Sequence, residues 1–311
     1  MKIWDGSQSL AQWGGMEYVG QGKPGPPVSE RVTFETARDG VTPPKGFSKF
    51  MRIEVRPGDQ YFSTSGFRTL LRQHPGNSIV KKHPGDDSTY VWCVRFPAGF
   101  PGAANIWVAG REWHHDGGKV APSHNTVWPD HFNTDVRGGP EANAHTYVNA
   151  NYFQGYAHDE WYTIVERYRH NPNPNGAYEL WGARCSTDKE FTKLVNAPGI
   201  GTMYDDFLAN YLLYGLYAST SLQQPLVMYT AGAAEFTTSA EALAYAQVTL
   251  TGSVVPPPPP PPPPVVTPQE LRDQAVAELK QTTVGYVNKN WKVPPPGTHW
   301  KKALDILDQI T

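Results

Sequence analysis

The chain has 311 residues, with 27 Lys and Arg against 29 Asp and Glu, for a net charge of -2. That balance leaves no basic field for nucleic acid, and no apolar run approaches the ~20 residues a membrane span needs. Aromatic residues make up 12%, including ten Trp and sixteen Tyr, alongside 29 Gly and 30 Pro, a composition suited to strands and turns. Cys93 and Cys185 stand far apart in strand-like stretches. They make neither a metal motif nor a disulfide framework and are expected to be buried free thiols.

Residues 1–30 read as an irregular segment crossing the surface. Strands are predicted at Arg31–Thr36, Phe50–Arg56, Gly66–Gln73 and Thr89–Pro97, the last apolar on both faces as a central strand should be. Ile106–Gly118 begins as an alternating strand and then brings Arg111, Glu112, Trp113, His114, His115 and Asp116 together, the way a β scaffold presents a site. Residues 117–144 read as loop. Further strands are predicted at Tyr147–Phe153, Glu160–Arg169, Ala177–Arg184, Leu212–Ser219, Leu226–Thr230 and Ala246–Leu250. Asn175-Gly176 marks a hairpin, and Ser239–Tyr245 a helical turn or two. About ten strands separated by Gly/Pro turns predict a mainly β sandwich or jelly roll over residues 1–254.

Nine prolines, Pro256–Pro264, make a stiff polyproline II spacer within residues 255–266, roughly 28 Å long at ~3.1 Å per residue. Thr267-Pro268-Gln269-Glu270 reads as a capping box. It opens a helical hairpin over residues 267–311 that is too small to bury much by itself, so docking on a partner or self-association is expected.

Tyr90-Val91-Trp92 to Phe96-Pro97, Ile106 to His114, Trp161–Val165, Gly176–Trp181 and Tyr214–Tyr217 together resemble, in order, the heparin-lyase-I-like polysaccharide lyase family. The resemblance implies a concanavalin-like jelly roll with a substrate groove on one concave sheet. It also implies His114 as base, Tyr217 as acid, and Arg68 or Arg111 as carboxylate clamp. This chain departs from the family pattern in three places. Glu112 stands where the family has Gln, Thr69-Leu70-Leu71 follows Arg68 where an acidic residue is usual, and Leu213 replaces a basic residue. The cation lining for an acidic polymer is thereby thinned, and the residues favour a glycan-binding or structural domain over an active lyase.

Glu112, Trp113, His115, Asn125, Trp128 and His131 are the expected carbohydrate contacts. Trp161 and Trp181 alternate within strands and are expected in the core, and Glu112 could instead pair with Arg111 or Arg137. His114, Asp116, His124 and His131 match no metal motif, and no cofactor is expected. Trp4-Asp5-Gly6, the proline linker, and residues 287–304 resemble minor tail proteins of phages that infect mycobacteria and their relatives. That second resemblance implies a virion protein at the tail tip, made in the host cytoplasm. The hairpin would bind other tail proteins or further copies of the chain, and the jelly roll would face a host-envelope glycan. The missing apolar leader core at Met1–Gly6 agrees with it. A purely structural scaffold is the remaining alternative.

Overall fold

The computed structural model describes residues 1–253 apart from residues 8, 18–26, 60–65, 74–79, 102–105, 117–119, 141–142, 173 and 207. The proline spacer and the helical hairpin expected beyond residue 254 lie outside the described residues. Two antiparallel eight-stranded sheets pack as a jelly-roll sandwich. Numbered along the chain, the first sheet runs β14 (Thr192–Ile200), β13 (Gly176–Arg184), β12 (Trp161–Arg169), β7 (Asp87–Arg95), β16 (Leu226–Phe236), β4 (Phe50–Val55), β3 (Val32–Glu35), with β1 (Lys2–Asp5) also on β16. The second runs β11 (His145–Tyr152), β10 (Phe132–Gly138), β9 (Ser123–Val127), β8 (Val108–His115), β15 (Asn210–Ala218), β5 (Phe67–Gln73), β2 (Trp13–Glu17), with β6 (Lys81–Lys82) also on β15.

Strand alternation explains the core. On β7, Tyr90, Trp92 and Val94 face the second sheet while Val91 and Cys93 face the other way, and all five are buried. Trp92 lies between Tyr90 (5.4 Å, 4°) and Tyr214 (4.6 Å, 15°), and Tyr214 stacks in turn on Trp13 (5.8 Å, 14°). Such pairs add about 0.5–1.5 kcal/mol each beyond the area they bury. The far side of the first sheet is covered by α1 (Ser239–Ala246) and α2 (Val248–Thr251). Trp161, Trp181 and both cysteines sit in this layer, buried as expected, the thiols free.

The two sheets are joined by a buried charge pair. Arg111 of β8 and Glu166 of β12 meet at 2.6 Å, both essentially without solvent. Glu166 also accepts from Trp92 Nε1 (2.8 Å), Asn125 Nδ2 (2.9 Å) and the Tyr178 hydroxyl (2.8 Å). Arg111 donates as well to Ser123 Oγ (2.9 Å), Asn125 Oδ1 (2.9 Å) and the Tyr168 hydroxyl (3.0 Å). Burial would push the guanidinium down, but the Glu166 charge outweighs it and holds it raised.

Several elements differ from the sequence reading. Residues 1–30 contribute two strands, β1 and β2, to the two sheets. The polar stretch expected to be loop holds β9 and β10, and β14 was not foreseen. Residues 246–250, expected as a strand, turn into α2, where Val248, Thr249 and Leu250 bury themselves and Gly252 closes the helix in the left-handed conformation (φ 77°).

Candidate active site

The outer face of the second sheet carries the polar side chains, and register arranges them in rows; the second and third rows stand two residues apart on β9, β10 and β11, roughly 7 Å at ~3.3 Å per residue, but three apart on β8 and four on β15 and β5. The first row is Trp107 with Trp128, just outside the Val108–Val127 pair. The second is Arg68, Tyr217, Ala109, Thr126, Asn133 and Asn151 across six strands. In the third, Arg72, Leu213, Glu112, His124, Asp135 and Asn149 stand side by side. The fourth holds Tyr211 beside His114.

A groove of about 320 Å³ opens over this face, lined by Trp107, Glu112, His124, Asp135, Arg137 and Tyr217 among others. Trp107 stands edge-on to Tyr217 (4.8 Å, 87°), and the Arg68 guanidinium packs 4.1 Å over the Tyr217 ring. The Tyr217 hydroxyl accepts from the Gly66 backbone N–H at 3.3 Å. The Tyr211 hydroxyl lies 3.0 Å from His114 Nδ1. Glu112 is nearly buried, at 3% exposure, and sits between Tyr217 on one side and His114 on the other.

Two irregularities create this arrangement. β8 gains one residue over β9 at Gly110, and such a bulge exchanges the two faces of a strand. Trp107 and Ala109 therefore share the groove side with Glu112 and His114. Gly215 of β15 has φ 148°, and a Cβ there would meet the Thr69 carbonyl oxygen at 2.2 Å. Only glycine lets β15 lie this close to β5 while Tyr217 reaches the groove.

The bulge also overturns part of the expected site. Arg111, Trp113, His115 and Asn125 face the interior. Arg111 is therefore no carboxylate clamp, because all its strong donors are spent on the inter-sheet network. Trp113 is 1% exposed and packs edge-on to Tyr90 and His170. His115 is sealed from solvent with its Nε2 on Asp206 (3.0 Å), and Asn125 serves Arg111 and Glu166. None of these four can touch a glycan. Glu112 pairs with neither Arg111 nor Arg137, its partner being His124 at 3.7 Å. Arg68, Glu112, His114 and Tyr217 share the outer face. Trp128 and His131 stack at its rim (6.0 Å, 10°).

Sequence reading missed Trp107, Asp135, Arg137, Asn133, Asn149 and Asn151 and did not give His124 a glycan role. The signal for His124 was present as Ser123-His124-Asn125-Thr126-Val127, whose even positions alternate outward. His124 lies between Glu112 and Asp135, its Nδ1 3.0 Å from Asp135. Burial would raise the Asp135 carboxyl, yet the His124 hydrogen bond and the charges of His124 and Arg137 hold it below the usual range. A lowered folded pKa means stability that is present above the unfolded carboxylate value and lost as pH falls through the folded one. Asp135→Asn should therefore destabilise the protein at neutral pH, and the difference from wild type should shrink in acid denaturation curves as Asp135 itself becomes protonated. Among the described residues no group of side chains is placed to hold a metal, and no helix is long and apolar enough to cross a membrane.

The described residues thus form a jelly roll with an aromatic-rimmed polar groove on one sheet. The sequence matches the polysaccharide lyase family over residues 33–234. The chain belongs to that family. No curated protein sequence matches it. Among solved structures it is similar to an endo-β-1,4-glucuronan lyase from the fungus Trichoderma reesei, with 12% identity and a TM-score of 0.57 over 77% of this chain and 97% of that one. It is also similar to an alginate lyase from Aplysia kurodai (10%, TM-score 0.48, 76% and 100%) and to a β-glucanase catalytic domain from Podospora anserina (13%, TM-score 0.49, 77% and 97%). At 12% identity the likeness to the glucuronan lyase is one of fold.

Proposed function

We propose that the groove binds a uronic-acid-containing polysaccharide and cleaves it by β-elimination. The observation that carries this reading is that Tyr217 and His114 flank Glu112 on one face of a family jelly roll. A uronate ring lying over Glu112 has Tyr217 toward one end of the strands and His114 toward the other. In the elimination, His114 takes the proton from C5 and the electron pair forms the C4–C5 double bond. The C4–O4 bond breaks, and Tyr217 returns a proton to O4. Tyr211 orients the His114 ring, Arg68 buttresses Tyr217, and Arg137 supplies positive charge along the wall. The test is ultraviolet absorbance of the new unsaturated sugar after mixing the protein with uronic-acid polysaccharides. No rise with any of them, from folded protein, would end the lyase reading.

Glycan binding without cleavage is the second reading, favoured by the apolar floor of Leu70 and Leu213 beneath Tyr211 and by the acid at Glu112. Binding to host cells or walls without an absorbance rise would select it. A carboxylate brought to ~4 Å from Glu112 is repelled by up to about 4 kcal/mol at an effective dielectric of ~20, less where water screens it. Glu112→Gln should therefore bind an acidic polymer about tenfold more tightly in calorimetry, and an unchanged affinity would move the uronate away from this row. The setting we propose, a phage tail tip facing a glycan-rich envelope with residues 267–311 as the attachment to tail proteins or to other copies, is supported by the resemblances at the two ends of the chain. Immunogold labelling of virions tests it.

A further inference from the structure

Resting on the reading of this face as a groove for an acidic glycan, we infer that His124 is the residue that admits a uronate, by taking up a proton from solvent as the sugar's carboxylate arrives. The floor of the groove is acidic before any ligand enters. Glu112 of β8 and Asp135 of β10 flank His124 of β9, and all three line the groove. Arg137 is the permanent cation among the described residues that line it, and Asp135 already holds its Nη2 at 2.6 Å. Leu213, the partner of Glu112 on β15, brings no charge, and neither does Asn149, the partner of Asp135 on β11. On β5, Arg72 lies over the Tyr211 ring (5.8 Å), and Arg68 packs on Tyr217. A uronate over Glu112 adds a third carboxylate to this row. Carboxylates that share a site resist being ionised together, so a proton is drawn in with the ligand.

The geometry of the ring decides where that proton goes. His124 Nδ1 is 3.0 Å from Asp135 Oδ1, and its Nε2 is 3.7 Å from Glu112 Oε1. A neutral imidazole carries one N–H and serves one of the two acids, leaving a lone pair facing the other. The imidazolium carries two N–H groups and serves both. The side chain is 20% exposed, so water can deliver the proton. The other histidines of this face are placed differently. His114 Nδ1 lies 3.0 Å from the His115 carbonyl oxygen and 3.0 Å from the Tyr211 hydroxyl, both uncharged. His131 meets Asp130 (2.6 Å) at the rim, stacked on Trp128. Charged in this way, His124 offsets Glu112 beneath the sugar. A neutral sugar brings no carboxylate and draws no proton, so acidic and neutral glycans part in the pH dependence of their binding.

The test is titration calorimetry of the full chain with a short oligoglucuronate, in buffers of different ionisation enthalpy. It is run on the unaltered chain and on His114→Gln, in which no cleavage accompanies binding. Near pH 7.5 the buffer dependence should report uptake of at least about half a proton per oligosaccharide, and affinity should fall about tenfold from pH 6 to pH 8. His124→Gln should lose both the uptake and the pH dependence, and at pH 6 it should bind about tenfold more weakly than the unaltered chain. Glu112→Gln, which removes one of the two acids, should reduce the uptake by about half or more. Binding without uptake, or uptake that survives in His124→Gln, would overturn the inference and leave the acidic-glycan groove in place. No binding at either pH would end that reading and the inference with it. Cleavage is scored separately on the unaltered chain. Uptake through His124 with no unsaturated product would sink the lyase chemistry and leave the inference standing.

Discussion

Arg111→Met should lower the stability of the jelly roll by about 3–5 kcal/mol, the usual cost of breaking a buried charge pair by removing one partner. The variant keeps the length and apolar stem of the side chain and deletes the donors. Glu166 would then remain at 0% exposure between two sheets, with Trp92, Asn125 and Tyr178 as its remaining donors. Ser123 and Asn125 would each lose a charge-assisted partner as well. Denaturant titration would register the loss as a lower midpoint, and thermal melting as a fall of about 6–20 °C at ~2–4 °C per kcal/mol for a domain of this size. The double variant Arg111→Met with Glu166→Leu should recover much of it, because no charge is then left buried. If the double variant were as unstable as the sum of two singles, the network would matter through packing and not through the stranded carboxylate.

In the proposed elimination, Tyr217→Phe should reduce kcat by about 10²- to 10⁴-fold, the span that a positioned general acid contributes, while KM changes little. The substitution removes one hydroxyl. Its fold partner is the Gly66 backbone N–H at 3.3 Å, a bond worth about 1 kcal/mol at most sites, so the protein should stay folded. The ring would keep its place against Trp107 and under the Arg68 guanidinium. Tyr211→Phe is the informative companion, since it deletes the hydroxyl 3.0 Å from His114 Nδ1 without altering Tyr217. A loss of roughly tenfold is expected there. Equal losses from both variants would mean that Tyr217 is not the proton donor.

Long-range order in the sheets was legible wherever alternation was strong. β7 and β12 are rich in β-branched and aromatic residues, and β13 and β15 in aromatic and leucine residues, with few polar interruptions, and their burial follows from that pattern. β9 and β10 resemble loop in sequence because one face of each carries His, Asn, Thr, Asp and Arg, leaving few apolar positions per strand. β14 lies at the sheet edge, largely exposed and containing Pro198 and Gly199, so it lacks both alternation and propensity. The helix at residues 248–251 has β-branched residues that suit a strand, and packing on the first sheet overrode that local preference.

Composition and local periodicity by themselves determined the class: a mainly β sandwich with an aromatic core, buried free thiols, and a polar patch after Ile106. Tertiary structure alone decided which members of that patch reach the groove. Arg111 and Glu112 are neighbours in sequence, yet one locks the sheets together and the other lies under the proposed substrate. Alternation specifies that adjacent side chains point opposite ways, but not which way is outward. That choice is made by the extra residue at Gly110 and by pairing with β9 and β15, from segments about 15 and 100 residues further along the chain.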